Sequence, residues 1–169
     1  TGQFAYPPDR EESSAKKAAA LEALLIEKGV ITPQTVDKVL AYFETEMTPL
    51  NGKKIVVKAW TDPEFAEKVV IDTPAAVAEL DLPEGMAGAE GEHLQAVANT
   101  PGVHNLVICT LCSCFPWPVL GLPPYWYKDP TFRARAAREP RKVLAEVGLD
   151  LSSETEIKVW DSSGHSRWF

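Results

Sequence analysis

The stretch LVICTLCSCFPW, Leu106 to Trp117, decides how the chain is read. Its apolar start, extended upstream by Val103, His104 and Asn105, reads as a buried strand running into Cys109. All three cysteines of the chain, Cys109, Cys112 and Cys114, fall inside it, with only Ser113 between the last two. The segment FPWPVLGLPPYW that follows is too rich in proline for a regular element. A loop dense in sulfur is therefore expected at a strand end.

Working outward, NTPG (99–102) reads as a turn and LQAVAN (94–99) as a short strand. LPEGMAGAEGEH (82–93) is a glycine-rich loop. RARAAREPRKVLAEVG (133–148) is helical, broken at Pro140 and stopped at Gly148, and ETEIKVWD (154–161) alternates like a half-buried strand. Toward the N-terminus, YPPDREE belongs to an extended arm over 1–12, and a helix starts at Ser13 as cap and stops at Gly29. Its apolar residues are Leu21, Leu24 and Leu25. A second helix begins with Thr32 as cap and Pro33 at the first position, with Val36, Val39, Leu40 and Phe43 as its buried stripe. DPEFAEKVV and TPAAVAEL repeat the cap-then-proline device, whereas IVVKAW (55–60) fits strand or helix equally. The expected fold is α+β: a helical N-terminal arm over 1–80, then a layered α/β region over 81–169 carrying the sulfur loop at a strand end.

Composition narrows the function. With 169 residues, 45% hydrophobic and 24% charged, the chain can bury a sizeable core. A net charge of -7 argues against a general nucleic-acid surface, which needs a basic field. No apolar run approaches the ~20 residues of a membrane span, and the N-terminus lacks a signal pattern. An odd, clustered cysteine set is not a disulfide framework, so a reducing cytoplasm is the expected compartment.

What can three such sulfurs hold? A structural zinc site wants four ligands, and His93 or His104 could complete a set. An iron–sulfur cluster usually takes four cysteines, and the chain has three. A different site uses the backbone. If the Ser113 and Cys114 amides lose their protons, both nitrogens and the sulfurs of Cys112 and Cys114 can bind one metal in a plane. Cys109 would add a third sulfur on one side, leaving one position open, the mark of a catalytic metal. Amidate and thiolate donors suit a trivalent ion such as cobalt or iron. Thiolates beside an open position are also prone to oxidation. The spacing alone leaves this claw, a zinc site and an incidental thiol cluster all standing.

VICTLCSC followed by PWPVLGLPP and WYK resembles the α subunit of nitrile hydratase, and so do LEALLIEKG, KAWTDPEF, NTPGVHN, REPRKVLAE and VWDSS. The resemblance implies sulfur ligation by Cys109, Cys112 and Cys114, with backbone nitrogen from Ser113 and Cys114. It implies a sulfinic acid at Cys112 and a sulfenic acid at Cys114, with Cys114 and Ser113 as the catalytic residues. Thr110 matches the cobalt type, which points to Co(III), one per subunit, with iron as the lesser choice. Trp117 matches a substrate-pocket wall, and Glu90 stands near the pocket where the family commonly has Gln. The implied partners are a β subunit whose arginines hold the oxidised cysteines, an activator protein for metal loading, and a small nitrile. Ala98 and His165 also depart from the family pattern, whereas Asp161 and Arg167 keep it. Family members continue past the position of Phe169, so the family's C-terminal segment is expected to be absent from this chain. The implied reaction is hydration of nitriles to amides. The competing functions are thiocyanate hydrolysis by the same claw and a non-catalytic zinc-stabilised interaction module.

Among the remaining residues, His104 reads as a structural histidine, His93 as a surface residue or a neighbour of the ligands, His165 as exposed or a neighbour of the ligands, and Glu92 as a solvated carboxylate. The first helices' apolar stripes read as core or subunit contact. The basic run at 133–142 reads as a solvated face or interface.

Overall fold

The computed structural model describes residues 8–82 and 93–169, which form two compact units divided between Glu46 and Met47. The first unit holds α1 (Pro8–Glu27) and α2 (Pro33–Thr45). The second holds α3 (Pro49–Thr61), α4 (Pro63–Ile71), α5 (Thr73–Val77), β1 (His93–Gln95), β2 (Val103–Ile108), α6 (Trp117–Leu120), α7 (Tyr125–Lys128), α8 (Pro130–Arg138), α9 (Pro140–Glu146), β3 (Glu156–Asp161) and β4 (Ser166–Trp168). The expected α+β class holds.

The starts of α2, α4 and α5 follow one chemical device. In α2 the Thr32 hydroxyl accepts from the Thr35 amide at 3.2 Å, with Pro33 following. Asp62 and Asp72 cap α4 and α5 in the same way, accepting from the Phe65 and Ala75 amides, each at 3.1 Å. Each cap satisfies an amide that has no partner inside its helix, and the proline that follows lacks an amide to satisfy. Gly29 (φ 67°) and Gly148 (φ 88°) end α1 and the α9 segment in the left-handed region that glycine enters without strain.

Four expectations need correction. The first helix starts at Pro8 rather than Ser13, because proline's fixed φ suits a helix's first turn. The proline-rich segment after the cysteines is not irregular throughout, but contains the single turns α6 and α7. The strand expected over 94–99 is only His93–Gln95. The stripe on α2 is not buried within the chain: Val39 and Leu40 are 51% and 57% exposed. Periodicity reports an apolar face without reporting what covers it. The ambiguous IVVKAW is helix, inside α3.

Both sheets are parallel pairs, β1 with β4 and β2 with β3. Parallel neighbours need a long crossover, and α6 to α9 lie between β2 and β3. The register sets Ile108 opposite Asp161, so the end of β2 meets the end of β3. The core of the second unit gathers Ile55, Phe65, Val69, Val77, Leu94 and Val119. Among the described residues no helix is long and apolar enough to cross a membrane.

Candidate metal centre

The loop leaves β2 at Ile108 and turns at once through Cys109, whose side chain is fully buried. Its sulfur lies 3.9 Å from that of Cys112, and the Cys112 and Cys114 sulfurs are 2.9 Å apart. All three fall within 4.8 Å of one another, with Cys112 exposed and Cys114 half-buried. The curl that brings them together is made at Ser113, whose φ of 72° is the one positive value at a non-glycine among the described residues. That conformation is strained for any residue with a Cβ. The Ser113 hydroxyl donates to the Cys112 carbonyl, a local bond available to a short polar side chain.

Two anchors fix the loop. At its start, Asp161 on β3 accepts from the Thr110 amide at 2.8 Å and from the Thr110 hydroxyl at 2.5 Å. At its end, the buried Tyr127 of α7 donates its hydroxyl to the Cys114 carbonyl at 2.8 Å and meets Phe115 edge to face at 4.9 Å. The buried Ser162 continues β3, its amide bonded to the Ile108 carbonyl at 2.7 Å and its hydroxyl accepting from the Trp168 amide at 3.1 Å. The sulfur loop thus sits where β2, β3 and β4 converge.

The electrostatics separate the sulfurs. Burial opposes ionisation of Cys109, but the backbone amides of Cys112, Cys114 and Leu111 point at its sulfur and outweigh burial, holding the thiol below its ordinary value. Burial, reinforced by the hydrogen bond with Cys112, pushes Cys114 up to about 11 against the pull of the Arg167 guanidinium. Burial likewise raises Tyr127, so it stays a neutral donor.

The donor set fits a metal of the kind the spacing suggests. The sulfur cluster among the described residues contains no histidine, so His93 and His104 are not drawn in as zinc ligands. Trp117 opens α6 three residues beyond Cys114 and is 40% exposed. His165 is exposed, and its carbonyl accepts from the His93 amide at 2.6 Å. Glu90 and Glu92 lie outside the described residues. Tyr127 was not singled out by the sequence. The WYK tripeptide contains it, but nothing local reveals a bond to a carbonyl 13 residues earlier.

A family model described as nitrile hydratase, alpha chain, matches residues 12–169. The low-molecular-weight cobalt-containing nitrile hydratase α subunit of Rhodococcus rhodochrous is 46% identical over 162 residues, covering 96% of this chain and 76% of the relative. The γ subunit of thiocyanate hydrolase from Thiobacillus thioparus is 37% identical over 156 residues, covering 88% of this chain and 64% of the relative. Among solved structures, a double histidine variant of the Fe-type nitrile hydratase from Comamonas testosteroni Ni1 superposes with a TM-score of 0.79 at 36% identity, covering 93% of this chain and 75% of that one.

Proposed function

The chain belongs to the nitrile hydratase alpha-chain family, and on that footing we propose that it is the metal-bearing subunit of a cobalt-dependent hydro-lyase that adds water to a nitrile to give an amide. The observation that carries this is the group of three sulfurs within 4.8 Å, on a loop pinned through Thr110 to Asp161. Cys109, Cys112 and Cys114 would hold the ion through sulfur, with the Ser113 and Cys114 amide nitrogens as two further donors. One Co(III) bound there supplies Lewis acidity toward the nitrile.

The chain's own groups do the rest. Cys112 would carry a sulfinic and Cys114 a sulfenic acid, the first two rungs of thiol oxidation. The Cys114 sulfenate oxygen would take the proton from the water that adds to the nitrile carbon, or would add to that carbon itself, in which case a water re-forms the sulfenic acid at sulfur as the S–O bond breaks and the released imidic acid tautomerises to the amide. Tyr127 holds the Cys114 carbonyl and Asp161 holds the loop's entry, so the oxygen is aimed before substrate arrives. Trp117, at the exit of the loop, would form the apolar wall against which the nitrile's organic group packs. Glu90 would stand near that pocket.

A β subunit is the proposed partner, and the exposed Val39 and Leu40 on α2 are apolar surface for such an assembly. An activator protein for cobalt loading and a reducing cytoplasm complete the proposal.

Elemental analysis and intact mass on one preparation of the α and β subunits test it. The expected result is one cobalt per α chain and three added oxygens on the cysteine peptide, two at Cys112 and one at Cys114. One equivalent of zinc on unoxidised cysteines would overturn it in favour of an interaction module. Thiocyanate hydrolysis by the same claw is the second reading, raised by the 37% identity to the thiocyanate hydrolase subunit, which is lower than the 46% to the cobalt-containing nitrile hydratase subunit. Faster turnover of thiocyanate than of any nitrile would establish it.

A further inference from the structure

We propose that Asn51 and Gly52 on α3 are positioning residues for Trp117, and that through it they set which nitriles the site accepts. The inference rests on the reading of Trp117 as a pocket wall.

Helix α6 is one turn long, and a single turn does not hold itself in place. Its position is taken from α3, against which it packs. Asn51 is buried, and its side-chain amide donates to the Pro118 carbonyl at 2.9 Å, one residue beyond Trp117. Gly52 lies so close that a Cβ there would stand 2.5 Å from the Val119 carbonyl oxygen and 3.2 Å from a Leu120 methyl. Val119 itself is fully buried. The turn closes at Gly121, where φ is 70° and a Cβ would meet Pro49 at 2.9 Å. Contacts from α3 therefore fall on residues 118, 119, 120 and 121 of the turn that Trp117 begins. Trp117 is tied rigidly to that turn, since its carbonyl accepts from the Gly121 amide at 2.8 Å.

The cysteine loop has its own supports, Asp161 at one end and Tyr127 at the other. A change on α3 thus moves the pocket wall and leaves the metal donors where they are. The methyl of Gly52→Ala meets backbone, which yields only if α6 shifts as a unit. Alanine is also a better helix former than glycine, so α3 itself is not weakened. Asn51→Ala removes the bond to Pro118 by an independent route.

The test uses the assembled α and β enzyme with propionitrile and benzonitrile as probes. Gly52→Ala and Asn51→Ala are expected to change the ratio of kcat/KM between the two nitriles by about tenfold, with cobalt per chain unchanged. Trp117→Ala, run alongside, is expected to change the same ratio. A changed ratio in Trp117→Ala with none in the α3 variants overturns the role of α3 and leaves the pocket-wall reading standing. An unchanged ratio in Trp117→Ala overturns that reading and this inference with it. Loss of cobalt in step with the altered ratio would put the effect at the claw and also overturn the inference. If Gly52→Ala does not assemble, Asn51→Ala alone decides.

Discussion

Thr110 and Asp161 are 51 residues apart in sequence and share two hydrogen bonds, from the threonine amide and hydroxyl to the two carboxylate oxygens. The pair locks the first residue after Cys109 to the last residue of β3. Asp161→Ala leaves both donors without this acceptor. Loss of such a support around a metal site typically costs about 10–100-fold in metal affinity or activity. Cobalt per chain and nitrile hydration rate measure it, and Asp161→Asn, which keeps one acceptor oxygen, should fall between.

Tyr127→Phe removes the donor to the Cys114 carbonyl while keeping a ring to meet Phe115. A single neutral hydrogen bond contributes about 1 kcal/mol, which corresponds to roughly fivefold in rate if it acts in the transition state. The expected outcome is a fall of about that size in kcat with cobalt content retained. Steady-state kinetics on metal-quantified enzyme check it.

Ser113 sits at φ 72°, where a Cβ costs roughly 1–2 kcal/mol. Ser113→Gly removes that cost and should keep cobalt. Ser113→Val adds a stiff β-branched side chain to the same curl and should lose the metal. Elemental analysis of the two variants distinguishes them. Equal cobalt in both would show that the curl is not what gathers the sulfurs.

Asp62 caps α4, and the hydrogen bond from Lys58, joined by the Phe65 amide, holds its carboxyl below the ordinary value of 3.8. Since the folded value is the lower one, its stabilisation is complete above the unfolded value and is lost as pH falls through the folded value. Thermal midpoints recorded from about pH 5 down to about pH 2 should decline more steeply for the native chain than for Asp62→Asn. Parallel curves would remove Asp62 from the acid sensitivity.

Leu40→Asp places a charge on the exposed apolar face of α2. With no core contact to lose, the chain should fold as before by circular dichroism. Its complex with the β subunit should weaken on size-exclusion chromatography, because a buried unpaired carboxylate at an interface is costly. Unchanged elution would assign the α2 face to solvent.

Much of this was legible in the residues. Thr32–Pro33 and Asp62–Pro63 mark helix starts because capping is a local event of three or four residues. The strands at 103–108 and 156–161 show in their composition and alternation. The grouping of the sulfurs was legible, since three cysteines within six consecutive residues need no long-range contact to meet, whereas the spacing left open what they hold. What escaped was long-range. No local pattern links Asn51 to Pro118, 67 residues away, or tells that α3 would carry the one-turn helix bearing Trp117. The face of α2 was legible as apolar but not its exposure: periodicity shows a stripe that could be core or subunit contact, and no residue of α2 is buried among the described residues.

The 51-residue separation between Thr110 and its carboxylate has a consequence during synthesis. At about 5–20 residues per second, roughly 3–10 s pass between translation of the cysteines and of the strand that restrains them. Throughout that interval the three thiols travel on a nascent polypeptide whose sulfur loop lacks its Asp161 anchor. Oxidation or capture of a stray ion in that window would strike a loop without its Asp161 anchor.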